Sequence, residues 1–190
     1  GVFDEKRVFT SGPLPGPVSF RGVRLGVMVC EDMWFPEVSE CLDESGAEIF
    51  VVLNASPFES DKLDERLNFA VMRIKEAGLP LIYANLVGGQ DELVFDGGSF
   101  VLGADCSLRA KANSFFEEIL WTDWHRIEGK WECSQGVLGS ENDLLGSIYS
   151  SLMIGLRDYV KKNRFPEVIL GMSGGIDSAF SAAVAVDALG

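Results

Sequence analysis

Basic residues are scarce in this chain of 190 residues: 16 Lys and Arg stand against 29 Asp and Glu, a net charge of -13 and a pI near 4.4. That balance excludes a general nucleic-acid or anionic-membrane binder, because both need surplus cations to face phosphates. Histidine is scarcer still. His125 stands alone, in a stretch without regular pattern beside Trp124, and reads as a solvated residue, so a thiol-imidazole pair is not the expected chemistry. The four cysteines, Cys30, Cys41, Cys106 and Cys133, form no Cys-x-x-Cys pair and have no accompanying histidines. A zinc site and a disulfide framework are thereby excluded, and a reducing cytoplasm is the natural setting. No apolar run approaches the ~20 residues that a membrane span needs. The first residues, GVFDEKRVFTSG, are charged and hold no signal core. They also lack an initiator Met, and a fragment of a longer protein is expected.

What is present is a core. Hydrophobic residues make up 47% of the chain, and VRLGVMV at 23–29, EIFVVLN at 48–54 and LPLIYANL at 79–86 are nearly continuous apolar runs, as in strands buried on both faces. Between the last two, DKLDERLNFAVMRIKEAG places Leu63, Leu67, Ala70, Val71, Ile74 and Ala77 at three- and four-residue steps, a helix ended by Gly78 and Pro80. Strands alternating with helices predict an α/β layer architecture. Further on, DELVFDGGSFVLGADCSLRAKA predicts two short strands joined through Gly97 and Gly98 as a hairpin on a sheet edge. The segment 124–139 shows no sustained periodicity and is read as a connector. A second helix is predicted from Ser140, where Ser-Glu-Asn-Asp matches a capping box, with an apolar stripe through Leu144, Leu145, Ile148, Leu152, Leu156 and Val160. Pro166 stops it, and EVILGM is predicted to be a strand.

That strand runs into GMSGGIDS and a small-residue helix. A strand, a glycine turn and a helix start bring free backbone N–H groups and the positive end of a helix dipole to one spot, an anion site in which Ser173 and Ser178 add hydroxyls. It is neither a Walker loop nor a dinucleotide fingerprint. The loop resembles the SGGxDS loop of the N-type ATP pyrophosphatases, which split ATP between its α and β phosphates. The resemblance implies that Gly171, Met172, Ser173, Gly174, Gly175, Ile176, Asp177 and Ser178 bind ATP and its pyrophosphate. Asp177 is then also a candidate contact for Mg2+, although an aspartate at a helix start is commonly a cap.

Cys30 follows a buried strand directly and precedes Glu-Asp-Met-Trp-Phe-Pro-Glu, a place that exposes a nucleophile. A cysteine there is otherwise a small core residue. GVRLGVMVCEDMWFPE resembles the nucleophile segment of the nitrilase superfamily, whose members use Glu, Lys and Cys. The family's Glu and Lys lie upstream of the Cys and have no match here; Glu5 and Lys6 are not assigned to those roles.

A nitrilase-type amidase followed by an SGGxDS loop resembles the layout of the glutamine-dependent NAD+ synthetase family. GVFDEKRVF and NASPFESDK are similar to that family's segment after the catalytic lysine and to its glutamine pocket. The resemblance implies that Cys30 is the nucleophile and that Ser56, Lys62, Glu31 and Phe3 bind glutamine. Lys62 and Ser56 suit the α-carboxylate and Glu31 the α-ammonium, while without the motif Lys62 reads as a solvated helix residue and Ser56 as a turn former before Pro57. It further implies glutamine, ATP and deamido-NAD as substrates, Mg2+, and a homo-oligomer, with no nucleic-acid or membrane partner. The implied fold is a nitrilase-like α-β-β-α sandwich portion over 1–123, a connector over 124–139, and over 140–190 the start of a Rossmann-like, adenine nucleotide α-hydrolase-like parallel-sheet domain. The 190-residue piece alone is expected to be inactive. Another carbon-nitrogen hydrolase of the nitrilase superfamily, a non-catalytic remnant of such an enzyme, and the thiolation or GMP-forming pyrophosphatases are the rival readings.

Overall fold

The computed structural model describes residues 8–60, 62–140 and 142–190, apart from the side chain of Lys62. Its frame is a six-stranded sheet in the order β1-β2-β3-β4-β7-β8. β2 (Val23–Val29), β3 (Ile49–Asn54) and β4 (Leu81–Asn85) are the three apolar runs, and they pair in parallel, from Leu25 beside Ile49 to Asn54 beside Asn85. β1 (Val18–Phe20) on one side, and β7 (Phe100–Leu102) with β8 (Leu108–Lys111) on the other, are antiparallel additions. A short 3-10 turn (Cys30–Met33) and α1 (Pro36–Glu44) lead from β2 to β3, and α2 (Lys62–Ala77) leads from β3 to β4.

Alternation along the strands sorts the core onto two faces. On one face, Met28, Phe50, Val52, Leu81, Tyr83 and Phe100 meet Leu42 of α1 and Ala70 and Ile74 of α2, all fully or almost fully buried. Each large apolar side chain so buried contributes about 1.5–3 kcal/mol. The helix periodicity read from the sequence is borne out, since Leu67, Val71 and Ala77 also pack on this cluster. On the other face Val101, Ala110 and Cys133 gather Ile82, Leu120 and Trp124.

Several expectations are corrected. The strands flanking Gly97 and Gly98 do not pair with each other: β6 (Leu93–Asp96) folds back on β5 (Val87–Gln90) as a separate two-stranded ribbon, and β7 joins the main sheet. Both glycines take left-handed φ, 65° and 62°, and turn the chain from one sheet to the other. The connector contains a hairpin, β9 (Trp124–Ile127) and β10 (Lys130–Cys133), whose turn residues Glu128 and Gly129 both have positive φ. Glu-Gly supplies the primed turn geometry without the usual Asn or Asp, which hid the signal. Trp124 packs on the second cluster, and Trp131 lies under the Arg126 guanidinium.

α3 (Leu144–Lys162) is capped by Asp143, whose carboxylate accepts the Gly146 N–H at 2.7 Å. Ser140 instead donates to Asn113 through its N–H and its hydroxyl. Only part of the predicted stripe is buried: Val160 is covered, as is Ile154 outside the stripe, while Leu145 is 75% exposed. Residues 167–172 form no strand, and Ile169 is 92% exposed; an extended segment needs a ladder partner, and none of the described strands pairs with it. α4 (Ile176–Leu189) follows and packs on α3, with the Tyr149 hydroxyl donating to Asp187 at 2.6 Å.

Gly97→Ala tests the bend. The added Cβ would overlap Val87 Cγ2 at a positive φ, so urea denaturation is expected to show a loss of at least ~1 kcal/mol.

Candidate functional site

The parallel strands deliver their carboxyl ends to one side, and a small cleft opens there. It is lined by Cys30 after β2, Asn54 and Ser56 at the end of β3, Tyr83 of β4, Trp34, and Glu65, Arg66 and Phe69 of α2. Trp34 stacks on Phe69 at 5.8 Å and Tyr83 on Phe100 at 4.7 Å between ring centres, which gives the cleft rigid aromatic walls.

Cys30 adopts φ +52°. A non-glycine residue held there costs about 1–3 kcal/mol. Arg21, Asp91 and Glu128 share that conformation in two-residue hairpin turns, whereas Cys30 is at a strand-to-helix junction. The junction is held from both sides: the Val29 N–H donates to Asp32 Oδ2 at 2.9 Å, and the Trp34 N–H donates to the Glu31 carbonyl at 2.9 Å. The strain lifts the Cys30 side chain out of the alternation of β2 and into the cleft.

Ser56 is 7% exposed. Its Oγ accepts from Arg66 Nε at 3.1 Å, its carbonyl accepts from Arg66 Nη2 at 2.9 Å, and its N–H donates to Asn85 Oδ1 at 2.9 Å. Arg66, 4% exposed, also donates to the Pro57 carbonyl and forms a two-pronged pair with Asp96, both contacts at 2.9 Å. A buried guanidinium is tolerable only when its charge and donors are matched; here Asp96 supplies the charge and the Ser56 turn supplies the remaining acceptors. The Tyr83 phenol, hydrogen-bonded to the Ser56 hydroxyl, is pushed up to about 12 by burial, against the lowering effects of Arg66 and Ser56 and with smaller raising effects of Cys30 and Asp96. It therefore remains a neutral hydroxyl at the cleft wall.

Of the residues singled out in the sequence, Cys30 and Ser56 come together. Glu31 is exposed next to Cys30 and does not line the cleft. Lys62 opens α2, but its side chain lies outside the described residues, as does Phe3. The second cluster is an exposed turn. Gly174 has φ +85°, Gly175 caps α4 in extended conformation, the Ser173 and Ser178 hydroxyls are 3.1 Å apart, and Ser178 Oγ donates to the Gly175 carbonyl at 3.0 Å. Ile176, Asp177 and Ser178 form the first turn of α4, where helix N–H groups have no intrahelical acceptor. Asp177 is inside the helix and does not cap it. Among the described residues no group of three or more His, Cys, Asp or Glu could hold a metal ion.

Arg66, Asp96, Asn85 and Tyr83 were not singled out from the sequence. One signal was available: Arg66 falls beside Leu67 on the inward side of α2, and a charged residue there requires a buried partner. Which partner was not readable, since Asp96 is 30 residues away.

Fold and cleft together define a class: layered α/β proteins that present a cysteine on a strained turn at the carboxyl end of a parallel strand. The carbon-nitrogen hydrolase family model matches residues 1–126, and the chain belongs to that family; the NAD synthase model matches residues 148–190. Among curated relatives, the glutamine-dependent NAD(+) synthetase of Rhodobacter capsulatus is 43% identical over 189 residues, covering 100% of this chain and 34% of the relative. That of Acinetobacter baylyi is 39% identical, with 100% and 35% covered. The chain thus spans about a third of the length of the curated relatives it matches. Among solved structures, the glutamine-dependent NAD+ synthetase of Acinetobacter baumannii in complex with ADP superposes with a TM-score of 0.90 at 38% identity, covering 100% of this chain and 36% of that one. A carbon-nitrogen hydrolase from Helicobacter pylori G27 superposes with a TM-score of 0.54 at 28% identity over 86% of this chain and 57% of that one. The α/β architecture read from the sequence, with its nitrilase-like first part, agrees with both superpositions.

Two outcomes follow from the cleft. Asp96→Ala leaves the buried Arg66 charge without its partner, and a stability loss of about 3 kcal/mol is expected in denaturant unfolding. Because the Tyr83 pKa in the folded chain is raised from 10.0 to about 12, the folded state keeps a proton that the unfolded chain gives up. Stability on this account is full below pH 10 and falls as pH rises toward 12. Denaturation midpoints measured against pH should show that decline, and Tyr83→Phe should make it shallower, the Tyr149 phenol, its pKa raised by its hydrogen bond to Asp187, accounting for part of the remainder.

Proposed function

We propose that this chain carries the glutamine-hydrolysing cleft and part of the ATP site of a glutamine-dependent NAD+ synthetase. The observation that supports this most is Cys30, held at φ +52° at the end of a parallel strand and facing a cleft built on Ser56, on the same chain as the Ser173–Ser178 turn. The relatives that match over the whole chain bear that name.

In this reading the Cys30 sulfur attacks the side-chain amide carbon of glutamine, a C–S bond forms, the C–N bond breaks and ammonia leaves. Water then cleaves the thioester to glutamate and returns the thiol. Ser56 and Lys62 hold the α-carboxylate; Glu31, exposed beside Cys30 and outside the cleft lining, would meet the α-ammonium, and Phe3 is assigned to the same pocket by the family resemblance alone. Ser56 suits its role because Arg66 and Asn85 fix both its backbone and its hydroxyl before substrate arrives.

At the second site the nicotinate carboxylate of deamido-NAD attacks the α-phosphorus of ATP, and pyrophosphate departs into the amide-lined turn formed by Gly171, Met172, Ser173, Gly174, Gly175, Ile176, Asp177 and Ser178. Ammonia displaces AMP from the acyl adenylate and leaves the amide of NAD+. Mg2+ would neutralise phosphate charge, and the exposed Asp177 is the carboxylate that would face it. A modular division near 124–139, a cytoplasmic location and a homo-oligomeric enzyme accompany this reading. No helix among the described residues is long and apolar enough to cross a membrane.

The test uses the full-length protein with either glutamine or ammonium as nitrogen donor. Cys30→Ala is expected to lower glutamine-driven NAD+ formation at least ~10³-fold and to leave the ammonium-driven reaction intact. Amide hydrolysis without ATP-dependent NAD+ formation from either donor would instead identify an independent carbon-nitrogen hydrolase, which the family match and the Helicobacter pylori superposition would also suit.

A further inference from the structure

The β5–β6 ribbon lies apart from the main sheet, and its two edges are gripped by different parts of the chain. On the β5 edge, the Gly89 N–H donates to Asp158 Oδ2 of α3 at 2.8 Å, and the Gly89 carbonyl accepts from Lys162 Nζ. The Lys162 ammonium also reaches Gln90 Oε1 at 3.2 Å, and Arg157 Nε donates to the second oxygen of Asp158 at 3.1 Å. One residue is therefore held through both its backbone groups, its N–H by a carboxylate and its carbonyl by an ammonium one helical turn apart.

Glycine on both sides makes the close contact possible. A Cβ on Gly89 would lie 3.1 Å from Gly155 Cα and 3.3 Å from the Ile154 carbonyl; one on Gly88, at φ +132°, would lie 2.9 Å from Asp158 Oδ2; one on Gly155 would lie 3.2 Å from Val94 Cγ2. The backbone of the ribbon thus rests directly on the backbone of α3.

The β6 edge holds the cleft. The Val94 carbonyl accepts the Phe58 N–H at 2.7 Å, and Asp96 fastens Arg66, which fastens Ser56. The register places Gly89 opposite Val94 and Val87 opposite Asp96. The residue that α3 clamps is therefore one strand spacing, about 5 Å, from the residue that anchors the loop beyond Ser56.

We propose that Asp158 and Lys162 are positioning residues for the glutamine cleft: by pinning β5 they set β6, and β6 sets the Ser56–Phe58 turn and the Arg66–Asp96 pair. The binding competence of the Cys30 cleft then depends on a helix of the C-terminal segment. The glutamine part of this statement rests on the function proposed above; the mechanical part does not.

The experiment compares wild type, Asp158→Ala, Asp158→Asn and Lys162→Met in the full-length protein. Hydrogen-exchange mass spectrometry is expected to show faster exchange over both 86–97 and 54–60 in Asp158→Ala and in Lys162→Met, with Asp158→Asn near wild type because its amide oxygen can still accept the Gly89 N–H. Exchange that rises over 86–97 alone, or over neither segment, overturns the proposal whether or not the protein makes NAD+. In steady-state assays the KM for glutamine is expected to rise about tenfold in Asp158→Ala, as for the loss of one hydrogen bond to a charged group, while ammonium-driven turnover stays at the wild-type level. A parallel fall in both reactions, or an unchanged KM, overturns it; the absence of NAD+ formation by the wild type from either donor overturns the functional reading instead and leaves the exchange result decisive. Lys162→Met, which removes a charge at the end of α3, provides the same comparison if Asp158→Ala does not fold.

Discussion

A single guanidinium orders the cleft. Arg66 projects from α2 into the protein, and a charge in that place is sustained by Asp96, by the Ser56 hydroxyl and by the carbonyls of Ser56 and Pro57. The cost of burying Arg66 is offset by contacts that also freeze the turn after β3 in one conformation. Remove the pairing and the Ser56 turn, whose hydroxyl partners the Tyr83 phenol, is left to its contacts with Asn85 and the Val94 carbonyl. The site is therefore built from the same interactions that make α2 compatible with the sheet.

That arrangement explains why the β5–β6 ribbon is present. It supplies Asp96 to the pair, the Val94 carbonyl to the turn and Gly89 to α3. A polar contact placed on a lone ribbon would be weak, since a two-stranded hairpin is marginal by itself. Packed between α3 on one edge and the Ser56 turn on the other, the ribbon acquires a fixed position and passes it on. The two glycines of β5 and Gly155 of α3 read as a packing requirement that flexible turn residues would not explain.

Much of the fold was legible beforehand. The three parallel strands and α2 announced themselves through continuous β-branched runs and a helical period, because burial on both faces or on one stripe imposes those patterns. The failures are as physical. Glu128 and Gly129 adopt a primed turn without the residues that usually mark one, so the β9–β10 hairpin leaves no hairpin signal in the sequence. Asp143 displaced Ser140 as the cap because Asn113 competes for the serine. The run at 167–172 has strand composition, but composition does not provide a neighbouring ladder. In the cleft, Cys30 and Ser56 stand out through the resemblance of their segments to known family motifs, since setting alone suits a core cysteine and a turn serine, whereas Asp96 and Asn85 carry no local mark of their roles.

By itself the sequence determined the alternation of strand and helix, the position of a cysteine at a strand end and the glycine-serine turn before α4, because local periodicity and turn chemistry act over a few neighbouring residues. Only the tertiary structure decided that Cys30 takes a left-handed backbone, that Arg66 and Asp96 meet across 30 positions, and that α3 rests its backbone on Gly89. Those depend on which surfaces come into contact once the sheet has formed, and long-range contact leaves no periodic trace in the chain.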